Sequence, residues 1–546
     1  MFIDSRLLTG SQTVEADICV VGAGPAGLAI AREFNGTAVR VAILEAGSFQ
    51  FSEEVASLTD GEVVGDPFSP LRDMRHRQFG GMANVWNVQL HPGRVGVRYV
   101  PLDPIDFEQK DWVPHSGWPI TFDDLVPYYR RAHAFCQLGE FDYSADPWET
   151  DNGRRTAFLS DDITTGIFKF GPSDIFFMQY RQEMSNSSNV NVYLHANVTG
   201  LLANENSTSI DRVQVGCLNG TRFTVKAKTF VLASGALENA RLLLASNRQE
   251  QAGLGNRHDV VGRYFMDHPL VDFGMLFPYS TSAVAKMCLY DKKRVNGETV
   301  MGRYALSEAL IRREQLLNIS ALIYPRDERF RSEAKRSLKH LLAVIKRGDV
   351  PDSTLSHIRN IVRRPHHILG DLYQYKIKKE VLKPNLAFGE WSAQSNVKKY
   401  VKFEVLTQTE QTPHPDNRVT LSTQRDRLGV PQVKLTNFWR EQDIRSIKRA
   451  QQLFADAFEH SDVGKLVWDD APRPKAMMST HHNMGTTRMH SDPRQGVVDA
   501  NCQVFGLSNL FIAGSSVFTT GGYANPTLTI VALSIRLAGH LKSSFT

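Results

Sequence analysis

Residues 18 to 21, Ile-Cys-Val-Val, form a short apolar run that stops in the glycine-rich Gly22-Ala23-Gly24-Pro25-Ala26-Gly27. Alanines and leucine then recur at helical spacing, and a second apolar run, Val39 to Leu44, ends in Glu45. The pattern predicts strand, glycine turn, helix, strand, acid. Further along, NVNVYLHANVTGLLA (189 to 203) alternates as a strand does, and VKAKTFVLASGALENARLLLA (225 to 245) reads as strand, small-residue turn and helix. The helix-like LVPYYRRAHAFC follows a Trp- and Pro-rich stretch, and KYVKFEVLTQTEQ and RVTLSTQ, parted by a turn-rich segment, predict antiparallel sheet between 400 and 440. Near the end, Asn509 to Ala513 predicts a strand entering Gly514-Ser515-Ser516, and Pro526 starts a helix whose Leu528, Ile530, Val531, Leu533 and Ile535 face a core. Asn525, just before that helix, can either cap it or point into a cavity.

The first of these patterns meets the requirements of a dinucleotide site. Gly22 permits the tight turn, Gly24 lets the backbone approach a diphosphate, and Gly27 lets helix and strand pack closely, with the diphosphate at the helix N-terminus. Glu45, 18 residues after Gly27, is placed to accept hydrogen bonds from an adenosine ribose. An acid there repels the 2′-phosphate of NADP, which leaves FAD and NAD. Only one such fingerprint is present, and its companion segments are far apart, so the domain is assembled from several pieces of chain.

The 546 residues suffice for two or more domains, and 42% apolar with 22% charged residues describes an ordinary globular chain. Five scattered cysteines, Cys19, Cys136, Cys217, Cys288 and Cys502, form no C-x-x-C pair, which argues against a disulfide framework and for a reducing compartment. The N-terminus shows no secretory pattern and no apolar run is long enough to span a bilayer, so a cytoplasmic location is expected. The net charge of +5 is unevenly placed. From Arg326 to Lys383 there are 15 basic and 7 acidic residues, an excess of +8, which leaves 5 − 8 = −3 for the rest. Apolar residues fall at helical spacing between these charges, predicting a basic helical insert of one or two amphipathic helices, solvated or in weak contact with a membrane surface. Without a recognition motif, nucleic acid is not an expected partner.

FGGMANVW (79 to 86) and GVVDANCQVFGLSNLFIAGSSVFTTGGYANPTLTIVALSIRLA (496 to 538) carry a more specific signal. With the N-terminal fingerprint they resemble the glucose-methanol-choline (GMC) oxidoreductases, and GGMANVW with YANPTLTI most resembles the pyranose-oxidase branch. The resemblance implies an α/β fold: a Rossmann-type FAD-binding domain assembled from residues 1–95, 185–268 and 478–546. It also implies an α+β substrate domain with a mainly antiparallel sheet from residues 96–184 and 269–477, carrying the basic insert at about 326–383. It selects FAD, and adds Gly80, Gly81, Asn84, Val198, Gly514, Ser515, Pro526 and Thr527 to Gly22, Gly24, Gly27 and Glu45 as cofactor-binding positions. Val85 stands where some relatives carry a histidine bonded to the flavin, so non-covalent FAD is expected, with Trp86 close behind.

Residues 479 to 493, STHHNMGTTRMHSDP, hold three histidines. Adjacent histidines on extended chain face opposite ways, His490 lies eight residues beyond His482, and no cysteine pair completes a ligand set, so no metal site is expected. Alcohol oxidation needs a base with a pKa near working pH, which histidine provides. The family's H-x-x-G pattern falls on His482-Asn483-Met484-Gly485, and its second catalytic position falls on Asn525. The resemblance therefore implies His482 as base and Asn525 as a hydrogen-bonding orienter, with hydride passing to flavin N5. His481 is expected to point away and His490 to lie on the surface near Asp492. The implied substrate is an alcohol group of a sugar, glycoside or amino-sugar, with a hydrophobic alcohol or sterol as the alternative. Oxygen, a quinone or a carrier protein would reoxidise the cofactor. A lyase that keeps FAD without redox chemistry remains a different class of reading.

Overall fold

The computed structural model describes residues 1–9, 12–85, 88–91, 94–150, 153–172, 174–326, 332–346, 353–369, 391–392, 400–469, 471, 473–474 and 478–545. Its centre is a six-stranded parallel sheet in the order Phe2–Asp4, Val190–Leu194, Val41–Leu44, Ile18–Val21, Thr229–Leu232, Leu510–Ile512. Ile18–Val21, Val41–Leu44 and Thr229–Leu232 are buried along their whole length, as strands of a sheet covered on both faces must be. Helices Pro25–Phe34 and Thr527–Lys542 pack together beside it. The turn between Ile18–Val21 and the first helix depends on two glycines. Gly22 has φ +108°, and a Cβ on Gly27 would lie 2.0 Å from the Gly22 carbonyl oxygen, so a side chain at either position forces the helix off the sheet.

NVNVYLHANVTGLLA, expected as one strand, is two. Val190–Leu194 belongs to the parallel sheet, and Asn197–Ala203 starts a separate four-stranded sheet with Ile210–Gly216, Arg222–Lys226 and Thr13–Glu15. The break falls at His195, whose φ of +59° is left-handed and cannot continue a strand. The C-terminal helix begins at Thr527, with Pro526 as its N-cap and no side-chain capping bond. Asn525 therefore does not cap it.

The other half of the molecule is an antiparallel sheet whose main path runs Gly464–Val467, Pro269–Pro278, Lys402–Thr409, Ile319–Arg326, Glu298–Leu306, Ile163–Pro172, Arg94–Tyr99, Val88–His91. Val88–His91, grouped by sequence with the cofactor domain, pairs into this sheet instead. The sheet curls strongly. Gln408 and Arg98 sit on strands with three others between them, about 19 Å apart in a flat sheet, yet the Arg98 guanidinium hydrogen-bonds the Gln408 side chain. A small third sheet joins Arg418–Arg425 and Pro431–Asn437 to Gly61–Gly65.

The basic insert contains helices Glu333–Lys346 and Thr354–Arg363 packed against each other; its last part, residues 370 to 383, lies outside the described residues. Leu342, Ile345, Leu355, Ile358 and Val362 on these helices are exposed. The apolar periodicity that predicts an amphipathic helix is present, but among the described residues those positions do not face a core.

Candidate active site

A groove runs from the glycine fingerprint to the N-terminal end of Thr527–Lys542. It is lined by Gly22, Gly24, Glu45, Gly81, Val198, Gly514, Ser515 and Pro526 among others. Glu45 is 5% exposed, with Oε2 accepting the Ala23 amide at 3.0 Å and Oε1 the Gly47 amide at 2.8 Å. Burial pushes its pKa up, and those two amides and Arg77 pull it back. Each oxygen keeps a lone pair for a ribose hydroxyl. Gly80 and Asn84 do not line the groove. The Gly80 amide donates to the Ala23 carbonyl at 2.9 Å and Asn84 Nδ2 to the Phe79 carbonyl at 2.8 Å, so these residues shape the turn that seats Gly81 against Gly24. Trp86 lies outside the described residues, and Val85 is half exposed beside the neighbouring cavity.

That second cavity, of about 580 Å³, adjoins the groove and is lined by His482, Asn525, Thr527 and Val85, a size suited to a small-molecule ligand. His76 and His481 line both spaces. His481 thus does not point away from the site as expected. Its φ of +61° turns it toward the cavities, and its amide donates to Ser479 Oγ at 3.0 Å. His490 lies next to Asp492, whose amide donates to His490 Nδ1 at 2.9 Å, but the histidine is half-buried rather than on the surface.

His482 is 5% exposed, and its neighbours fix which nitrogen carries the proton. His268 Nε2 lies 3.1 Å from the Gly521 carbonyl, which can only accept, so His268 Nε2 bears hydrogen. Burial lowers the His268 pKa to about 4, so its Nδ1 keeps a lone pair at neutral pH. His482 Nδ1, 3.1 Å from His268 Nδ1, must then be the protonated nitrogen. Thr480 Oγ1 donates to the His268 carbonyl at 2.8 Å and offers His482 Nδ1 a second acceptor at 3.0 Å. The basic lone pair is left on His482 Nε2, facing Asn525 Nδ2 at 3.2 Å. Asn525 Oδ1 accepts from Arg98 Nε at 3.0 Å, which fixes the orientation of the amide. Every donor from Arg98 to Gly521 meets an acceptor. Burial, and then the nearby His268, Arg98 and His481, hold the His482 pKa well below its ordinary value, so the imidazole is neutral and able to take a proton.

One buried carboxylate holds this arrangement in place. Asp267 Oδ1 accepts the His268 amide at 2.7 Å and the His482 amide at 2.9 Å, and its Oδ2 accepts Ser479 Oγ. Asp267 and His268 directly precede strand Pro269–Pro278, and the short strand Met478–Ser479 pairs with its start. Sheet pairing therefore sets the separation of the two histidines. Sequence reasoning singled out His482 and Asn525, which the structure brings together, and did not single out Asp267, His268 or Arg98 beside them. The signal available was an Asp-His-Pro triplet placed directly before an apolar strand, and an arginine, Arg98, between Val97 and Tyr99 in Arg94–Tyr99.

Residues 413–534 match the GMC oxidoreductase C-terminal family model. Among curated proteins it is 28% identical over 316 residues to the fructose dehydrogenase large subunit of Gluconobacter japonicus, covering 58% of this chain and 47% of that one. It is 33% identical to the C-glycoside 3-oxidase of Microbacterium trichothecenolyticum, over 22% of this chain and 23% of that one. The chain thus spans less than half the length of these relatives. A solved structure of Aspergillus oryzae RIB40 formate oxidase, from a study of the effect of the mutation R554A on FAD modification, superposes with a TM-score of 0.54 at 17% identity, covering 98% of this chain and 99% of that one. The two share the fold.

Proposed function

We propose that this protein binds FAD without a covalent link and oxidises an alcohol group on a sugar or glycoside, with His482 as the base. The carrying observation is the hydrogen-bond chain that leaves the lone pair of a buried, neutral His482 on Nε2, aimed at Asn525 in a cavity that opens onto the dinucleotide groove.

The groove fits FAD by its own residues. Amides at the N-terminus of Pro25–Phe34 face it, where the helix dipole favours a diphosphate. Arg77 lines it and has a buried Nε with no partner, a donor suited to the oxygens of a dinucleotide. Glu45 would hold the ribose, and Gly514, Ser515 and Pro526 lie at the end next to His482. Bound FAD supplies the two-electron acceptor for the carbinol hydride. Asn525 Nδ2 donates to the substrate oxygen and holds the carbinol in the plane of the imidazole. His482 Nε2 takes the hydroxyl proton, and Thr480 and His268 keep its ring oriented as charge develops.

Relatives named for fructose and C-glycosides support a sugar substrate. Arg98, Gln408, Ser479 and Thr480 in the cavity lining offer hydrogen bonds to the further hydroxyls of such a substrate. Incubation with candidate sugars and a mixed set of acceptors, oxygen and quinones included, should yield a carbonyl product two hydrogens lighter than its alcohol. A product formed with no loss of hydrogen would instead indicate a lyase. Because Val85 offers no nucleophile, acid precipitation of the yellow holoenzyme should leave flavin in the supernatant. Flavin retained in the pellet would contradict the non-covalent reading and point to His76 or His481 at the junction of the two spaces.

The five cysteines are buried and unpaired, which supports a reducing, cytoplasmic setting. Exposed Leu342, Ile345, Leu355, Ile358 and Val362 beside Lys335, Lys339, Arg359 and Arg363 give the helical pair the composition of an interfacial anchor. The protein should sediment with phosphatidylserine vesicles at low salt and be released by high salt. Equal recovery with neutral phosphatidylcholine vesicles would rule out an electrostatic membrane contact.

A further inference from the structure

Arg98 is a buried cation in the reaction cavity. It is 9% exposed, its Nε reaches Asn525 and its Nη2 reaches Gln408, and its guanidinium lies 4.5 Å from the centre of the Phe168 ring. Both hydrogen-bond partners are neutral amides. Arg72 and Arg75, which line the same cavity, are paired with Asp60 and Glu238, whereas among the described residues no carboxylate lies within ion-pair distance of Arg98. The nearest like charge makes matters worse. Arg303 lies 5.7 Å from the same Phe168 ring, and its nearest carboxylate, Asp103, is 3.9 Å away.

Two further polar groups around Arg98 are incomplete. Tyr324, 4% exposed, has its hydroxyl beside the Arg98 guanidinium with its own proton given to no acceptor, and Gln408, 1% exposed, has an Nε2 with no partner; both residues line the cavity. The guanidinium, the phenol and the carboxamide NH₂ are all donors. The two carboxamide oxygens accept from the guanidinium but carry no charge, and a buried cation with only neutral partners is costly unless an anion completes the set. Arginine presents the planar fork that fits a carboxylate.

We infer that the cavity takes a substrate bearing a carboxylate close to the carbinol, a sugar acid or related hydroxy acid, whose acid group is held by Arg98, Tyr324 and Gln408. Only the Asn525 carboxamide separates the guanidinium from the base, so one small molecule can place its hydroxyl at His482 and its carboxylate at Arg98. The assignment deepens the alcohol-oxidation reading of the same cavity and rests on it for the identity of the reacting group.

The test compares D-glucuronate with D-glucose, and lactate with propane-1,2-diol, on the holoenzyme, measured by calorimetric binding and by anaerobic flavin reduction. In the wild type each acid should bind about 10- to 100-fold more tightly than its neutral counterpart, the range of a charge-assisted hydrogen bond. In R98Q that ratio should collapse toward one, and R98K should retain part of it while confirming that the fold tolerates change here. If neither acid binds the wild type more tightly than its neutral counterpart, the inference fails. It also fails if R98Q weakens acid and neutral ligands equally, which would make Arg98 a positioning residue for Asn525. Binding needs no turnover, so failure of all four compounds to reduce the flavin would count against the oxidation reading and leave the binding ratios to decide this one.

Discussion

Replacing His482 with alanine should slow flavin reduction by substrate by about 10²- to 10⁴-fold, the usual contribution of a positioned base, while FAD content stays at the wild-type level. The expectation follows from the division of the site. His482 contributes one edge of the groove, whereas the diphosphate and ribose ends are built from residues far from it. The pH profile gives the same assignment a second readout. Because burial lowers the His482 pKa, the neutral form persists through and below neutral pH. The reduction rate should stay level there and fall only as pH drops well under 6.5, the ordinary histidine value. Stability follows the same sign. Between about pH 6.5 and the depressed folded values, about 4 for His268, the unfolded chain binds more protons, so stability is lost as pH falls through that window. Rapid-mixing spectrophotometry on the wild type and His482→Ala reads the rate; reduction at the wild-type rate in the variant removes His482 as base.

Asp267→Ala should be the most damaging change near the site for stability. The carboxylate accepts two backbone amides and one hydroxyl, and it is fully buried. Removing it leaves these donors without partners at roughly 1–3 kcal/mol each; partial relaxation makes a loss of about 3–5 kcal/mol the reasonable total. Activity should fall about 100-fold as well, because the spacing of His268 and His482 sets the direction of the Nε2 lone pair and a small misplacement is severe. Asp267→Asn keeps one acceptor oxygen and should lose far less. Thermal melting of the holoenzyme with matched reduction rates separates the two variants; equal melting of Asp267→Ala and wild type would show that the carboxylate does not hold the site together.

The parts of the molecule legible in the sequence are those whose physics is local. The turn at Gly22 to Gly27 and the acid at the end of the next strand occupy about 30 residues in which spacing alone defines the geometry. Antiparallel strands near 400 to 440 are marked by their own turn residues. What could not be read depended on folding back across the chain. His268 is 214 residues from His482 and Arg98 is 427 from Asn525, and nothing in a single sequence states that a sheet curls enough to bring Arg98 onto Gln408. The same limit explains His481. Neighbours on an extended chain diverge, but a left-handed φ at His481 keeps both histidines on the cavity side. In the basic insert the amphipathic spacing reports a helix without saying what covers its apolar face.

The most direct test of the whole account is an anaerobic titration of the wild-type holoenzyme with sugars, glycosides, sugar acids and hydrophobic alcohols, followed by the colour of the flavin. The account predicts that at least one polar carbinol bleaches the flavin stoichiometrically and that its ketone or aldehyde appears in equal amount. A flavin that keeps its colour with every alcohol, or one bleached only by hydrophobic alcohols, would contradict it.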